Sequence, residues 1–330
     1  MVRRVLATRA RSMLHDLNRR RQVITRNFVN GAGVTVVPQA FSVAVVHVND
    51  LRDLQAAANA ATPIATAATS TDCQSGFAAD PFLTRVGDEW FVFYEVWNMV
   101  AHKGEIAYSS SRDLINWTYG GRCLIEPFHL SYPSIFQYKG VVYMIPEAAQ
   151  AGMTLMYRAE RFPDKWVVDR ILLEEPLLDG SLFEHDSRWW CSGMGYWKNV
   201  AQLLDLRVFS AANPLDSWTR HPASPVVVGN PRASRPAGRT VSIDGRLIRF
   251  AQAIVPAYGT AVHAYEITQL SAGEYQERPF TDEPFLAASG SGWNEHGMHH
   301  VDIVKHPDGG FVCAVDGWHW TASSSDASVG

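Results

Sequence analysis

Asp80, Tyr132, Asp179, Arg235 and His299 lie far apart in the chain but hold the same place in a degenerate pattern. Each stands just before a short apolar run. A polar turn with Gly or Asp follows, and then a second run rich in aromatic residues. Two acids, a phenol, a guanidinium and an imidazole suit the hydroxyls of a sugar, or a phosphate. Asp80 and Asp179 form the kind of pair that cleavage of a glycosidic bond requires. One carboxylate is ionised to activate water, and the other is protonated to release the leaving oxygen. Facing each other across a wide gap, they would leave room for that water and give inversion. Glu147 and Glu95 close second runs and can turn toward the same place. Glu147 is the substitute acid and Glu95 a further polar contact, and both read equally well as rim carboxylates. Asp80 before Pro81 is also what a turn bonded to its own backbone looks like.

Arg235 and Arg239 bracket Pro236, Ala237 and Gly238. A guanidinium fork at such a place recognises a carboxylate or phosphate, or joins neighbouring elements in a salt bridge. His296, His299 and His300 lie near Glu295 and Asp302, the densest set of potential metal ligands in the chain. The surroundings read as the lead-in to a strand rather than a helix, so His299 and His300 are expected to line a ligand pocket. No metal or other cofactor is expected. Trp97, Tyr196, Trp197, Tyr258 and Trp293 follow strand ends and are candidate stacking platforms. No dinucleotide fingerprint, phosphate loop, nucleophile elbow or zinc-protease motif occurs.

What must position these residues is the repeat itself. Its copies open near Ala79, Ser131, Leu178, Ser234 and Met298, roughly 50 to 60 residues apart, the spacing of propeller blades. A propeller brings the first strand of every blade to one axis, so residues just ahead of those strands face each other. Ile106–Ser111, Met156–Ala159 and Leu206–Ala211 read as third strands, each followed by a turn and a Trp that opens a fourth: Trp117, Trp166 and Trp218. The expected fold is all-β, a five-bladed β-propeller over residues 72–320 with a short mixed α/β extension over residues 1–71. That extension holds a basic amphipathic helix within residues 1–29, a strand at Phe41–Val48 and an Ala-rich helix at Leu51–Ala61. Residues 321–330 read as a disordered tail.

The chain has 330 residues and 11 Trp, enough for a sizeable core. A net charge of −4 gives no reason to expect nucleic acid as a partner. Cys73, Cys123, Cys191 and Cys313 show no metal-finger spacing, and Cys191 and Cys313 fall in strands as buried thiols. No apolar stretch is long enough to span a bilayer, and no secretory signal is seen. A cytoplasmic protein is expected, with targeting by the basic N-terminal segment as the alternative.

The strings Ala79–Phe82, Pro127–Pro133, Met144–Glu147, Leu182–Asp186 with Arg188–Trp190, and Arg235–Arg239 resemble the N-terminal domain family of the glucosamine inositolphosphorylceramide transferases. The blade rhythm and the Ala-Asp-Pro opening also resemble the five-bladed family 43-type glycoside hydrolases, the fold of arabinanases, invertases and levansucrases. The resemblance covers about residues 72–320. It implies a carbohydrate-active protein acting on a glycan or glycoconjugate, with a non-catalytic binding propeller as the alternative. In the hydrolases a first-blade Asp is the base, a second-blade Asp tunes it and a third-blade Glu is the acid. Asp80 matches the first, Tyr132 replaces the second, and Asp179 takes the third. In the plant transferases the propeller accompanies a separate glycosyltransferase domain, which makes a glycosyltransferase a possible partner.

Overall fold

Near-continuous apolar runs rich in Val, Ile, Phe, Tyr and Trp favour strands buried on both faces. The computed structural model describes residues 39–196 and 204–320, and in it these runs form five antiparallel sheets. The first blade is β2 (Ser75–Val86), β3 (Glu89–Asn98), β4 (Lys103–Ser111) and β5 (Thr118–Leu124). The second is β6 (Ser131–Tyr138), β7 (Val141–Glu147), β8 (Thr154–Arg161) and β9 (Lys165–Leu173). The third is β10 (Leu177–His185), β11 (Arg188–Gly195), β12 (Asp205–Ala211) and β13 (Thr219–Arg220), with β14 (Val227–Val228) also on β12. The fourth is β15 (Val241–Ile243), β16 (Arg246–Gln252), β17 (Ala261–Leu270) and β18 (Tyr275–Pro279), with β19 (Leu286–Ala287) on β17.

The fifth sheet joins distant parts of the sequence. β20 (Val301–Lys305) pairs with β21 (Phe311–Trp320), and β21 pairs along its whole length with β1 (Gln39–Val48). The strand expected at Phe41–Val48 is therefore a member of the fifth blade and not an appendage beside the ring. Helix α1 (Leu54–Ala60) follows it, as the Ala-rich run suggests, and buries Leu54 and Ala58. The basic helix expected in residues 1–29 and the tail at 321–330 lie outside the described residues. Among the described residues no helix is long and apolar enough to cross a membrane.

The core is a series of layers between neighbouring blades. Phe82, Phe93 and Ile106 of the first blade meet Ile135, Met144 and Leu155 of the second. Ile145 and Met156 meet Leu182 and Phe209, and Phe183 and Trp190 meet Leu247 and Ile267. Ile248 and Phe250 meet Val301 and Val315, and Val312 and Val43 close the circle against Leu83 and Val92. Cys191 and Cys313 are buried free thiols within these layers. The fourth-strand tryptophans lock the outer turns. Trp117, Trp166 and Trp218 donate their indole N–H to the carbonyls of Leu114 (3.3 Å), Pro163 (2.8 Å) and Pro214 (3.4 Å).

Candidate active site

The first strands of three blades carry the same irregularity. In β2 the register steps from Ala79–Glu95 to Phe82–Phe93, in β6 from Ser131–Glu147 to Ser134–Ile145, and in β10 from Leu178–Met194 to Ser181–Ser192. Each step places two residues against one, which is a β-bulge. The first bulge residue is Asp80, Tyr132 or Asp179, with φ of 56°, 47° and 53°. Left-handed backbone at non-glycine residues is strained, and it persists where the surroundings over-determine it. Here it turns three side chains toward the axis. The same registers put Glu95 and Glu147 at one equivalent place in the first and second blades. The third blade has Met194 there, so it offers no carboxylate.

Asp80, Glu95 and Glu147 line a cavity of about 250 Å³. Asp80, Glu95, Glu147, Arg235 and His299 supply its charged wall, with Ser131 and His129 beside them. Phe41, Phe77, Trp97 and Tyr258 supply an aromatic wall. Trp97 stacks on Phe77 (5.9 Å, 18°), and the Arg235 guanidinium lies 5.0 Å over the Tyr258 ring. The combination of flat apolar faces and convergent polar groups fits a sugar ring.

Burial dominates the electrostatics. It pushes Asp80 up to about 7, with His299 pulling down and Asp179 and Asp316 adding to the rise. It pushes Glu147 up to about 8, helped by the charge of Asp179. Glu95 is held well above the carboxylate range by burial and then by Asp80 and Glu147. Its Oε1 has no hydrogen-bond partner among the described residues, and His129 Nε2 stands 3.8 Å away. Ser131 donates to Glu147 Oε2 at 3.3 Å. Burial pulls His299 down, but Asp316, 2.7 Å from its Nδ1, outweighs this and raises it. Asp316 in turn is lowered, burial being overcome by His299.

The five residues expected ahead of the first strands converge, Asp80, Tyr132 and Asp179 from bulges inside β2, β6 and β10 and Arg235 and His299 from ahead of β15 and β20, but they do not share one role. Asp80, Arg235 and His299 reach the cavity, as do Glu95 and Glu147. Asp179 does not line it. Its Oδ2 accepts from Arg235 Nε at 2.5 Å and from Gln252 Nε2 at 3.0 Å, and the residue is 1% exposed. Asp179, expected as the acid, is thus placed behind Arg235 and away from the cavity lining. Tyr132 is fully buried, and its hydroxyl donates to the Gly238 carbonyl and accepts from the Gly238 amide. Its phenol is unavailable to a substrate. His300 is buried edge-on against Phe82 and Tyr132, and burial drives its imidazole down to about 3. It packs as a neutral ring in the axial core. Arg239 chelates Asp302 and donates to the Leu83 carbonyl, joining the fourth, fifth and first blades. Three expected substrate contacts, Tyr132, His300 and Arg239, are thus axial structure. Of the stacking candidates, Trp97 and Tyr258 line the cavity, Trp293 donates to the Ala58 carbonyl of α1, and Trp197 lies outside the described residues.

Sequence reasoning misses Asp316, His129, Ser131, Phe41 and Phe77. Asp316 carries a signal, being a lone acid inside an otherwise apolar strand, which is costly unless it is partnered. Asp80, His299 and Asp316 have donor atoms within 4.8 Å of one another. The hydrogen bond between His299 Nδ1 and Asp316 Oδ1 occupies one ring nitrogen and one carboxylate oxygen, and leaves Nε2 3.7 Å from Asp80 Oδ1. Nε2 and Asp80 are the atoms that face the cavity.

Residues 31–318 match the family model described as glucosamine inositolphosphorylceramide transferase 1, N-terminal. The chain is 33% identical over 263 residues to glucosamine inositolphosphorylceramide transferase 1 of Oryza sativa subsp. japonica, covering 78% of this chain and 35% of that one. It is 34% identical over 268 residues to the protein of the same name from Arabidopsis thaliana, covering 77% and 34%. The chain thus spans about a third of the length of these relatives. Among solved structures it resembles the catalytic domain of the Coprinopsis cinerea GH62 α-L-arabinofuranosidase (TM-score 0.53, 14% identity, 73% of this chain and 90% of that one). It also resembles sucrose-6-phosphate hydrolase from Lactobacillus gasseri (TM-score 0.54, 13% identity, 73% and 54%). At these identities the likeness is one of fold.

Proposed function

The chain belongs to the glucosamine inositolphosphorylceramide transferase 1 N-terminal family, and on that premise we propose that it binds a glycosyl unit of a glycoconjugate in the axial cavity and breaks or transfers its glycosidic bond. The observation that carries this reading is the convergence of Asp80, Glu95 and Glu147, all buried, beneath an aromatic wall. Asp80 is the base and Glu147 the acid, with Glu95 able to take the acid role from the equivalent place in its blade. In hydrolysis a water O–H bond breaks and its proton passes to Asp80 Oδ1. The water oxygen bonds to the anomeric carbon, the glycosidic C–O bond breaks, and the leaving oxygen takes the proton of Glu147. Transfer differs only in that a hydroxyl of an acceptor replaces the water. Arg235, fixed by Asp179, and His299 position the sugar.

The plant relatives are named for glucosamine and for an inositol-phosphate sphingolipid. With Arg235 matched by Asp179 and His299 by Asp316, the carboxyl groups of Asp80, Glu95 and Glu147 are left to exchange hydrogen bonds with the hydroxyl or amino groups of a sugar. A glycosyltransferase acting on the same glycan is the partner this reading expects.

One observation favours a binding module instead. The third-blade carboxylate, Asp179, is taken by Arg235 and Gln252. Glycan binding and bond cleavage measured together on wild type, Asp80→Asn and Glu147→Gln separate the two. Product from wild type that disappears in both variants, with binding retained, supports the enzyme. Binding by all three with no product from any supports the module and removes the catalytic assignment.

A further inference from the structure

Asp80, Glu95 and Glu147 share one buried cavity; His299 and His300 face Asp80, each 3.7 Å from its Oδ1, and His129 faces Glu95. Asp316 makes a double clamp. Its Oδ2 accepts the backbone N–H of Asp80 at 2.9 Å, and its Oδ1 lies 2.7 Å from His299 Nδ1. A carboxylate on Nδ1 demands a proton there and favours the imidazolium. The other nitrogen, Nε2, then points its own N–H toward Asp80 Oδ1 at 3.7 Å, a charge contact rather than a hydrogen bond. At His129 the arrangement is reversed. Its Nδ1 accepts the backbone N–H of Gly104 at 2.8 Å, which needs the lone pair of a neutral ring. Its Nε2 faces Glu95 Oε1 at 3.8 Å and brings no positive charge.

We propose that His299, held as an imidazolium by Asp316, and His129, held as a neutral ring by the Gly104 amide, assign the ionised state to Asp80 and leave Glu95 and Glu147 protonated. His299, Asp316 and His129 are positioning residues in this scheme. The groups facing Asp80 are His299 and His300 ahead of β20, Asp316 of β21, Glu95 of β3, Glu147 of β7, Asp179 of β10 and Arg235 ahead of β15. Arg235 is matched by Asp179 and His300 is a neutral core ring. His299 is therefore the cation that distinguishes Asp80 from the two glutamates. Those glutamates sit at equivalent places in their blades and face no matching imidazolium. The opposite shifts of His299 and Asp316 agree with the pairing. The scheme rests on the reading of Asp80 as base and Glu147 as acid.

Histidine-selective nitrogen NMR of the full chain reads the scheme directly at about pH 7.5. Among the twelve histidines, the ring identified by its proximity to Phe41 and Tyr258 is expected as an imidazolium, and the ring identified by its proximity to Trp97 as a neutral ring protonated at Nε2. A neutral His299, or a His129 protonated at Nδ1, overturns the proposal, and this measurement needs no variant. In Asp316→Asn, His299 is expected to become neutral at that pH. The rising limb of the turnover profile is then expected to move up by more than about one pH unit. An unmoved His299 in a folded Asp316→Asn protein also overturns it. Failure to find any turned-over glycan tells against the catalytic reading, while the nitrogen spectra still decide the proton assignment.

Discussion

Tyr132 and Gly238 hold each other through both backbone polar groups of the glycine. The phenol donates to the carbonyl at 3.0 Å and accepts from the amide at 2.7 Å, across 106 positions of sequence. Gly238 has φ 127°, and a Cβ there would fall 1.8 Å from the Val301 carbonyl oxygen, so no other residue fits. Tyr132→Phe leaves a buried N–H and C=O without their partner. The expected loss is about 1–3 kcal/mol in urea denaturation. Glycan affinity should be unchanged in the folded fraction. A loss of affinity at unchanged stability would return Tyr132 to the ligand.

Half-buried Arg235 and fully buried Asp179 form an ion pair, with Gln252 as the other hydrogen-bond donor to the carboxylate. Removing one member, in Asp179→Asn or Arg235→Gln, should destabilise the ring by about 3–5 kcal/mol. The double variant should recover much of this, because it leaves no isolated charge. Equal losses in the singles and the double, by the same denaturation, would show that the pair contributes shape rather than charge compensation.

Stability should fall as the pH rises from about 4 to about 8. Glu147 and Asp80 are raised to about 8 and about 7 in the folded protein. In the unfolded chain they titrate near about 4. Below that window both states hold the protons. Within it the unfolded chain releases protons that the folded protein keeps, so unfolding gains ground. Melting temperatures across the window should decline in wild type and decline less in Glu147→Gln. A slope unaltered by that substitution would mean that Glu147 is not the group responsible.

Trp97 stacks on Phe77 at the cavity wall. Trp97→Ala should weaken glycan binding about tenfold, or about 1.4 kcal/mol, in calorimetric titration. Unchanged affinity would place the sugar against Tyr258 and Phe41 instead.

Removing residues 1–48 deletes β1 and leaves β21 as an open edge. Val43 and Ala44 are fully buried, so the truncated chain should lose cooperative unfolding and aggregate. A sharp thermal transition in that truncation would show that the ring closes without β1.

The blades are legible in the sequence because their signals are local. Aromatic strands, Asp-Gly and Pro-Asp turns and the Trp at the fourth strand all lie within a few residues of one another. Convergence on the axis is legible too, since Asp80, Arg235 and His299 follow from repeat geometry alone. What separates the catalytic candidates from the structural residues is not. Tyr132 and Asp80 occupy the same bulge position, and only contacts made across the ring, to Gly238 in one case and to the Asp316–His299 pair in the other, give them different duties. The place of β1 is hidden for the same reason. Its partner, β21, lies at the other end of the described chain, and no local pattern announces a pairing at that distance.

The antiparallel join of β1 and β21 sets how the ring responds to tension. Gln39 and Trp320 are paired at one end of the join, so a pull applied through both flanking segments loads the ladder bonds one after another, as a zipper, instead of all at once in shear. Asp316 lies on the join, opposite Val43, so peeling it back from Gln39 reaches the clamp on Asp80 and His299 after only a few residue pairs.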